Sequence, residues 1–128
     1  MAAKLNEMLR ALADPTRLRI LTLLQGCDEL CVCELVEALR LPQYHVSRHL
    51  RTLRAAGLVR GWRQGRWMHY CLNPRLAGAD RPLVAAACAR AAAEATMRAD
   101  ARRLRQCLRP RAGRGGYILR CCVRKESV

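Results

Sequence analysis

Residues 43–72 read QYHVSRHLRTLRAAGLVRGWRQGRWMHYCL, and the period of the pattern changes part-way along. From Gln43 to about residue 56, Val46, Leu50 and Leu53 recur at the spacing of one helix face. Gln43, His45, Ser47, Arg48, His49, Arg51 and Arg54 fill the remaining faces, and Gly57 stops the helix. Residues 58–72 then read as two strands around Gln64-Gly65-Arg66, with Asn73-Pro74 closing the hairpin. Upstream, residues 31–39 predict a second short helix, separated from the first by Leu41-Pro42. Two short helices with a tight turn, the second polar and basic, followed at once by a basic-tipped hairpin, describe a winged helix-turn-helix.

Working outward, Leu5, Met8, Leu9 and Leu12 give residues 3–12 a helical stripe. Asp14 is placed to cap a new helix, Pro15 suits its first position, and Gly26 ends it. Leu18, Ile20, Leu21, Leu23 and Leu24 make that helix apolar nearly all round, so it is the expected central helix. Residues 81–108 predict one long Ala- and Arg-rich helix, about 40 Å if continuous. Val84, Ala87, Cys88, Ala91, Ala95, Leu104 and Cys107 or Leu108 supply its weak apolar face. The expected architecture is mainly α, with five helices and a two-stranded wing. Residues 1–110 are the expected domain, for DNA binding and dimerisation on the charge and motif grounds that follow, and residues 111–128 are expected to be a basic, cysteine-containing tail.

The 128 residues are 52% hydrophobic but only 4% aromatic, with no Phe, so the core must be built from Leu, Ala and Val. Such a core is more easily completed by pairing two chains, and a homodimer is expected. The net charge is +14, from 24 basic and 10 acidic residues, which points to a polyanionic partner. Nucleic acid comes first and an anionic membrane second, although no apolar run is long enough to span a bilayer. The N-terminus carries acids in an amphipathic pattern and does not read as a signal peptide, so a cytoplasmic location is expected. Thiols stay reduced there, and the eight cysteines read as thiols, metal ligands or redox sensors rather than structural disulfides.

The predicted second helix of the pair would lie in a major groove, where Gln suits adenine and Arg suits guanine. Gln43, His45, Ser47, Arg48, His49 and Arg51 are its candidate contacts. Arg63, Gln64 and Arg66 at the wing tip would meet phosphates or the minor groove. Five stretches carry a resemblance in order: Ala13–Leu21, Glu29–Leu35, Val46–Leu50, Leu53–Val59 and Gln64–Tyr70. Together they resemble the ArsR/SmtB family of metal- and metalloid-responsive repressors over roughly residues 5–75. The resemblance implies a winged-helix homodimer paired through its first and last helices. It also implies a palindromic operator in double-stranded DNA, repression without inducer, and release on inducer binding. The last helix fits the family by position only, and the tail after Pro110 matches no general family pattern.

Two cysteine groups are candidate inducer sites. The resemblance implies that Cys31-Val32-Cys33 can hold trivalent arsenic or antimony, but the third cysteine of that site is here Val36. Cys107 with the vicinal pair Cys121-Cys122 supplies three thiolates, separated by thirteen residues that contain Pro and several Gly. The group resembles the C-terminal trithiolate sites of certain arsenite- and antimonite-responsive relatives. Neighbouring arginines are expected to favour its thiolates. The C-terminal group is therefore preferred and Cys31/Cys33 is the second choice, the plain alternatives being a tail with reactive thiols and two small buried side chains. Cys71 and Cys88 are expected to pack as core residues. The only histidines, His45, His49 and His69, lie in the DNA-reading half, which favours a thiolate site for a soft ion over a zinc or nickel site. A thiol-based redox or sulfide sensor pairing Cys33 with a last-helix cysteine, and a cadmium- or lead-responsive repressor, stay open. A constitutive architectural DNA binder is a weaker reading. No nucleophile–base–acid set suggests an enzyme.

Overall fold

Asp14 and Pro15 start the central helix as their chemistry dictates: Asp14 Oδ1 accepts from the Arg17 N–H at 3.0 Å, and Pro15 occupies the first turn. The computed structural model describes residues 5–76 and 78–108 of the 128. Its elements are α1 (Leu5–Leu12), α2 (Pro15–Gln25), β1 (Leu30–Cys31), α3 (Val32–Leu39), α4 (Gln43–Ala55), β2 (Val59–Gln64), β3 (Trp67–Leu72), α5 (Asp80–Ala91) and α6 (Ala95–Leu108). Ile20, Leu21 and Leu24 of α2 are buried, and α2 packs on all five other helices and on β3. A Leu or Ile fully withdrawn from water contributes about 1.5–3 kcal/mol, so α2 is the organising element of the core.

Against α2 lies the helix pair. Val46, Leu50 and Leu53 of α4 are fully buried, as their spacing predicts, and meet Leu35, Ala38 and Leu39 of α3 in the same core. Glu34, itself buried, accepts from the Cys31 N–H at 3.2 Å and so caps the start of α3. Arg40 leaves α3 in the left-handed region, at φ 56°, and Leu41-Pro42 leads into α4. After α4 the chain reverses at Gly57, whose φ of 78° is one that a side chain disfavours. Asn73 Nδ2 then donates to the Gly57 carbonyl at 2.8 Å, tying the end of the hairpin to the end of α4.

Three features depart from the sequence reading. The wing is not two-stranded: β1 adds to form a sheet of order β1-β3-β2, with Leu30 opposite Tyr70 and Cys31 opposite His69. The expected helix over 81–108 is two helices, which brings the count among the described residues to six rather than five. The break falls at Ala92-Ala93-Glu94, where N–H groups turn back on Arg90 and Ala91 and the Glu94 carbonyl starts α6. No Gly or Pro marks it. Packing forces it, because α5 lies chiefly on α2 while α6 must turn to lie on α3. Third, the apolar face expected of a single helix is divided. Val84, Cys88, Ala91, Leu104 and Cys107 are buried as expected, Ala95 is exposed, and Met97 and Asp100 are buried in addition.

Candidate nucleic-acid interface and thiol sites

Burial of the Val46–Leu50–Leu53 stripe turns the opposite faces of α4 to solvent. Gln43, Arg48 and Arg51 stand exposed there, and Arg63, Gln64 and Arg66 are exposed at the wing tip around Gly65. His45 and Ser47 are half-buried. Tyr44 was not singled out by the sequence, yet it is 69% exposed at the first turn of α4, edge-on to His45 at 4.9 Å. Its signal was available: an aromatic at the second position of the helix, off the apolar stripe. Pro42 offers no side-chain cap to α4. The helix therefore presents backbone N–H groups at its start, a favourable place for a phosphate oxygen.

His49 differs from the other candidates. Its side chain is only 12% exposed and turns to α2, with Nδ1 3.4 Å from Arg17 Nη1 and 3.9 Å from Asp14 Oδ1. Burial pushes its pKa below the ordinary imidazole value; Arg17, Arg48 and His45 push the same way, and Asp14 opposes them. Burial alone would raise the Asp14 carboxyl, but the Arg17 N–H bond, then His49, Arg17 and the Thr16 N–H, bring it below the usual carboxylate value. Arg17 also donates to the Ala11 carbonyl at 2.8 Å and the Arg10 carbonyl at 3.2 Å, so α1, α2 and α4 are locked at one point.

The base of the wing is held by ring stacking and charge. Trp62 stacks on His69 at 5.9 Å, Arg60 lies 5.6 Å over the Trp62 ring, and His69 Nδ1 sits 3.1 Å from Glu29 Oε2. Cys31 faces His69 across the β1–β3 ladder.

The structure brings Cys31 and Cys33 together: the Cys33 thiol donates toward Cys31 Sγ at 3.0 Å, at the start of α3. Val36 lies one helical turn beyond Val32, half-buried against the core. Cys107, on α6, is 1% exposed, and its thiol donates to Glu37 Oε2 of α3 at 3.3 Å. A carboxylate thus faces this thiol, where the sequence suggested arginines. Cys121 and Cys122 lie outside the described residues. Cys88 is buried as expected and Cys71 is half-buried; burial raises both thiol pKa values, which suits packing better than ligation. Among the described residues no three His, Cys, Asp or Glu side chains cluster as a metal site. No described helix is long and apolar enough to cross a membrane.

A mainly helical chain with a helix-turn-helix and a three-stranded wing is a winged-helix protein. Residues 14–60 match the family described as bacterial regulatory protein, arsR family. The Arsenical resistance operon repressor of Escherichia coli K12 is 47% identical over 70 residues, 55% of this chain and 60% of that protein. An uncharacterized HTH-type transcriptional regulator of Methanocaldococcus jannaschii is 42% identical over 67 residues, 52% of this chain and 75% of that protein. The solved structure of HlyU from Vibrio cholerae superposes with a TM-score of 0.58 at 33% identity, covering 66% of this chain and 87% of that one. The chain belongs to the arsR family. It spans about three fifths of the length of the E. coli repressor.

Proposed function

We propose that the chain is a DNA-binding transcriptional repressor that works as a homodimer and leaves its operator when trivalent arsenic or antimony binds its cysteine thiolates. The observation that carries the DNA half is α4: its apolar stripe is wholly buried, and Gln43, Tyr44, Arg48 and Arg51 stand in solvent beside a wing tipped by Arg63, Gln64 and Arg66. Exposed Arg and Gln on a helix of this length suit base edges and phosphates in a major groove, and the wing-tip arginines suit phosphates or a minor groove. His45 and Ser47 contribute from the half-buried flank. His49 acts by holding α4 to α2.

The inducer is proposed from the cysteines and from the similarity to the E. coli arsenical resistance operon repressor. Soft ions take thiolates. The preferred ligands are Cys107, Cys121 and Cys122, with residues 111–128 acting as a sensing tail on the domain of residues 1–110. The 3.0 Å approach of Cys33 to Cys31 favours that pair as a second site. Pairing of two chains through α1 and the last helices, in the cytoplasm, completes the reading. The test is to titrate antimonite and arsenite into a complex of the full chain with a duplex it has selected from a random pool, thiols reduced. Release is expected, and unchanged DNA affinity would sink the inducer half. Cys31→Ser/Cys33→Ser and Cys121→Ser/Cys122→Ser then separate the two sites, since the pair whose loss leaves release intact is not the sensor.

A further inference from the structure

Asp100 is an acid buried to 1% exposure on an arginine-rich helix, and its partners explain why it is there. It accepts from Arg19 Nε and Nη2 of α2, both at 2.8 Å, and from Arg103 Nη2 at 2.7 Å. The same two guanidinium groups reach the end of α3: Arg19 Nη2 donates to the Leu39 carbonyl at 2.9 Å and Arg103 Nε to the Ala38 carbonyl at 2.6 Å. Carbonyls in the last turn of a helix lack partners within it, so this network caps α3 from outside and fixes α6 upon it. One turn beyond Arg103, Cys107 adds a third tie through its thiol to Glu37. The first helix of the helix-turn-helix is therefore held at its C-terminal end by the helix that carries the candidate ligand.

The docked arrangement does not suit ligation. Cys107 is covered, and its thiol donates to the Glu37 carboxylate, so an ion reaches the sulfur only by displacing that hydrogen bond and the packing around it. When arsenite binds a thiol, an As–S bond forms and an As–O bond breaks, the thiol proton leaving with the hydroxide as water. That step removes the donor of the Cys107–Glu37 bond and needs room around sulfur. We propose that α6 is a latch: the ion takes Cys107 from the undocked helix only, and the Asp100–Arg19–Arg103 network together with Glu37 sets the inducer threshold. Undocking uncaps α3 and loosens its packing on α4, which couples ligation to DNA release. This rests on Cys107 being a ligand.

Linkage gives a signature that plain destabilisation cannot produce: weakening the latch must tighten the ion and loosen the DNA by related factors. The experiment measures antimonite affinity and affinity for the selected duplex on the full-length protein, for wild type, Asp100→Asn, Glu37→Gln and Cys107→Ser. Asp100→Asn is expected to tighten antimonite and weaken DNA, each about tenfold. Glu37→Gln, at an exposed residue, is expected to tighten antimonite severalfold with the fold intact, and it serves if the buried substitution does not fold. Cys107→Ser is expected to weaken antimonite. If Cys107→Ser weakens antimonite but the other two variants weaken it or leave it unchanged, the latch is overturned while the ligand assignment stands. If Cys107→Ser leaves antimonite affinity unchanged, the ligand assignment falls and takes the latch with it.

Discussion

Two side chains at the junction of α1, α2 and α4 make stability depend on pH in a way their environment dictates. Asp14 caps α2, and its carboxyl titrates below the usual value because the Arg17 N–H and nearby cations outweigh the opposing effect of burial. A depressed carboxylate stabilises the fold above its unfolded pKa and loses that contribution as pH falls through about 4. Asp14→Ala is expected to cost about 1 kcal/mol in urea unfolding at pH 7 and to flatten the acid side of the stability curve. His49 also has a lowered pKa, chiefly through burial, but it is the neutral form that the fold prefers. The unfolded chain then takes up the proton first, so stability falls as pH drops through about 6.5. His49→Gln is expected to remove that part of the slope between about pH 7 and 5, as read by urea midpoints across the range. A slope unchanged in the variant would place the titration elsewhere.

The elements differ in how openly the sequence announces them. The wing has one tight point that tests its register: a Cβ on Gly61 would lie 2.5 Å from Cε1 and 2.9 Å from Cδ1 of the Tyr70 ring, which is itself buried. Gly61→Ala is expected to lower stability by about 1–3 kcal/mol as β2 and β3 shift apart, measured by thermal unfolding. In the proposed reading of DNA, α4 and the wing divide by role. Arg48→Ala on α4 is expected to relax base preference at one position by about 1–3 kcal/mol, whereas Arg63→Ala on the wing should weaken all sequences alike and reduce the salt slope by about one. The α4–wing pattern was legible because its period changes from 3.6 to 2 across Gly57. The two residues of β1 are too short to show a period, and only the β3 ladder reveals them. The break between α5 and α6 falls on Ala92-Ala93-Glu94, residues that favour helix, so packing on α2 and α3 overrode propensity. Asp100 among arginines looked like a solvated charge, because its partners lie 81 positions away on α2 as well as three away on α6. Exposed Tyr44 and inward-turned His49 belong to one six-residue stretch of α4 around the stripe that orients both, and only the packing against Arg17 separates them.

At the scale of the whole molecule, a net charge of +14 on 128 residues would supply attraction to DNA without sequence preference, and in the proposed reading specificity depends on two reading heads held at a fixed spacing. The proposed pairing has a candidate surface on α1. Met8, Ala11 and Leu12 face the core, while Leu5 and Leu9, one turn apart, remain 56% and 44% exposed. On α6, Leu104 and Cys107 are already buried within the chain, so α1 is left with the clearer apolar face for a second copy. Leu5→Glu/Leu9→Glu places two acids on that face and disturbs little inside the subunit, because neither side chain is buried. The variant is expected to keep its helical circular dichroism and to sediment as a monomer. Its affinity for the selected duplex should fall by about 100-fold or more, since two linked heads gain at least that much over one. Its residual binding should keep a salt dependence close to that of a single wild-type head, because the wing and α4 are untouched. A variant that still sediments as a dimer would move the interface away from α1, and a monomer that binds as tightly as wild type would remove pairing from the reading of DNA.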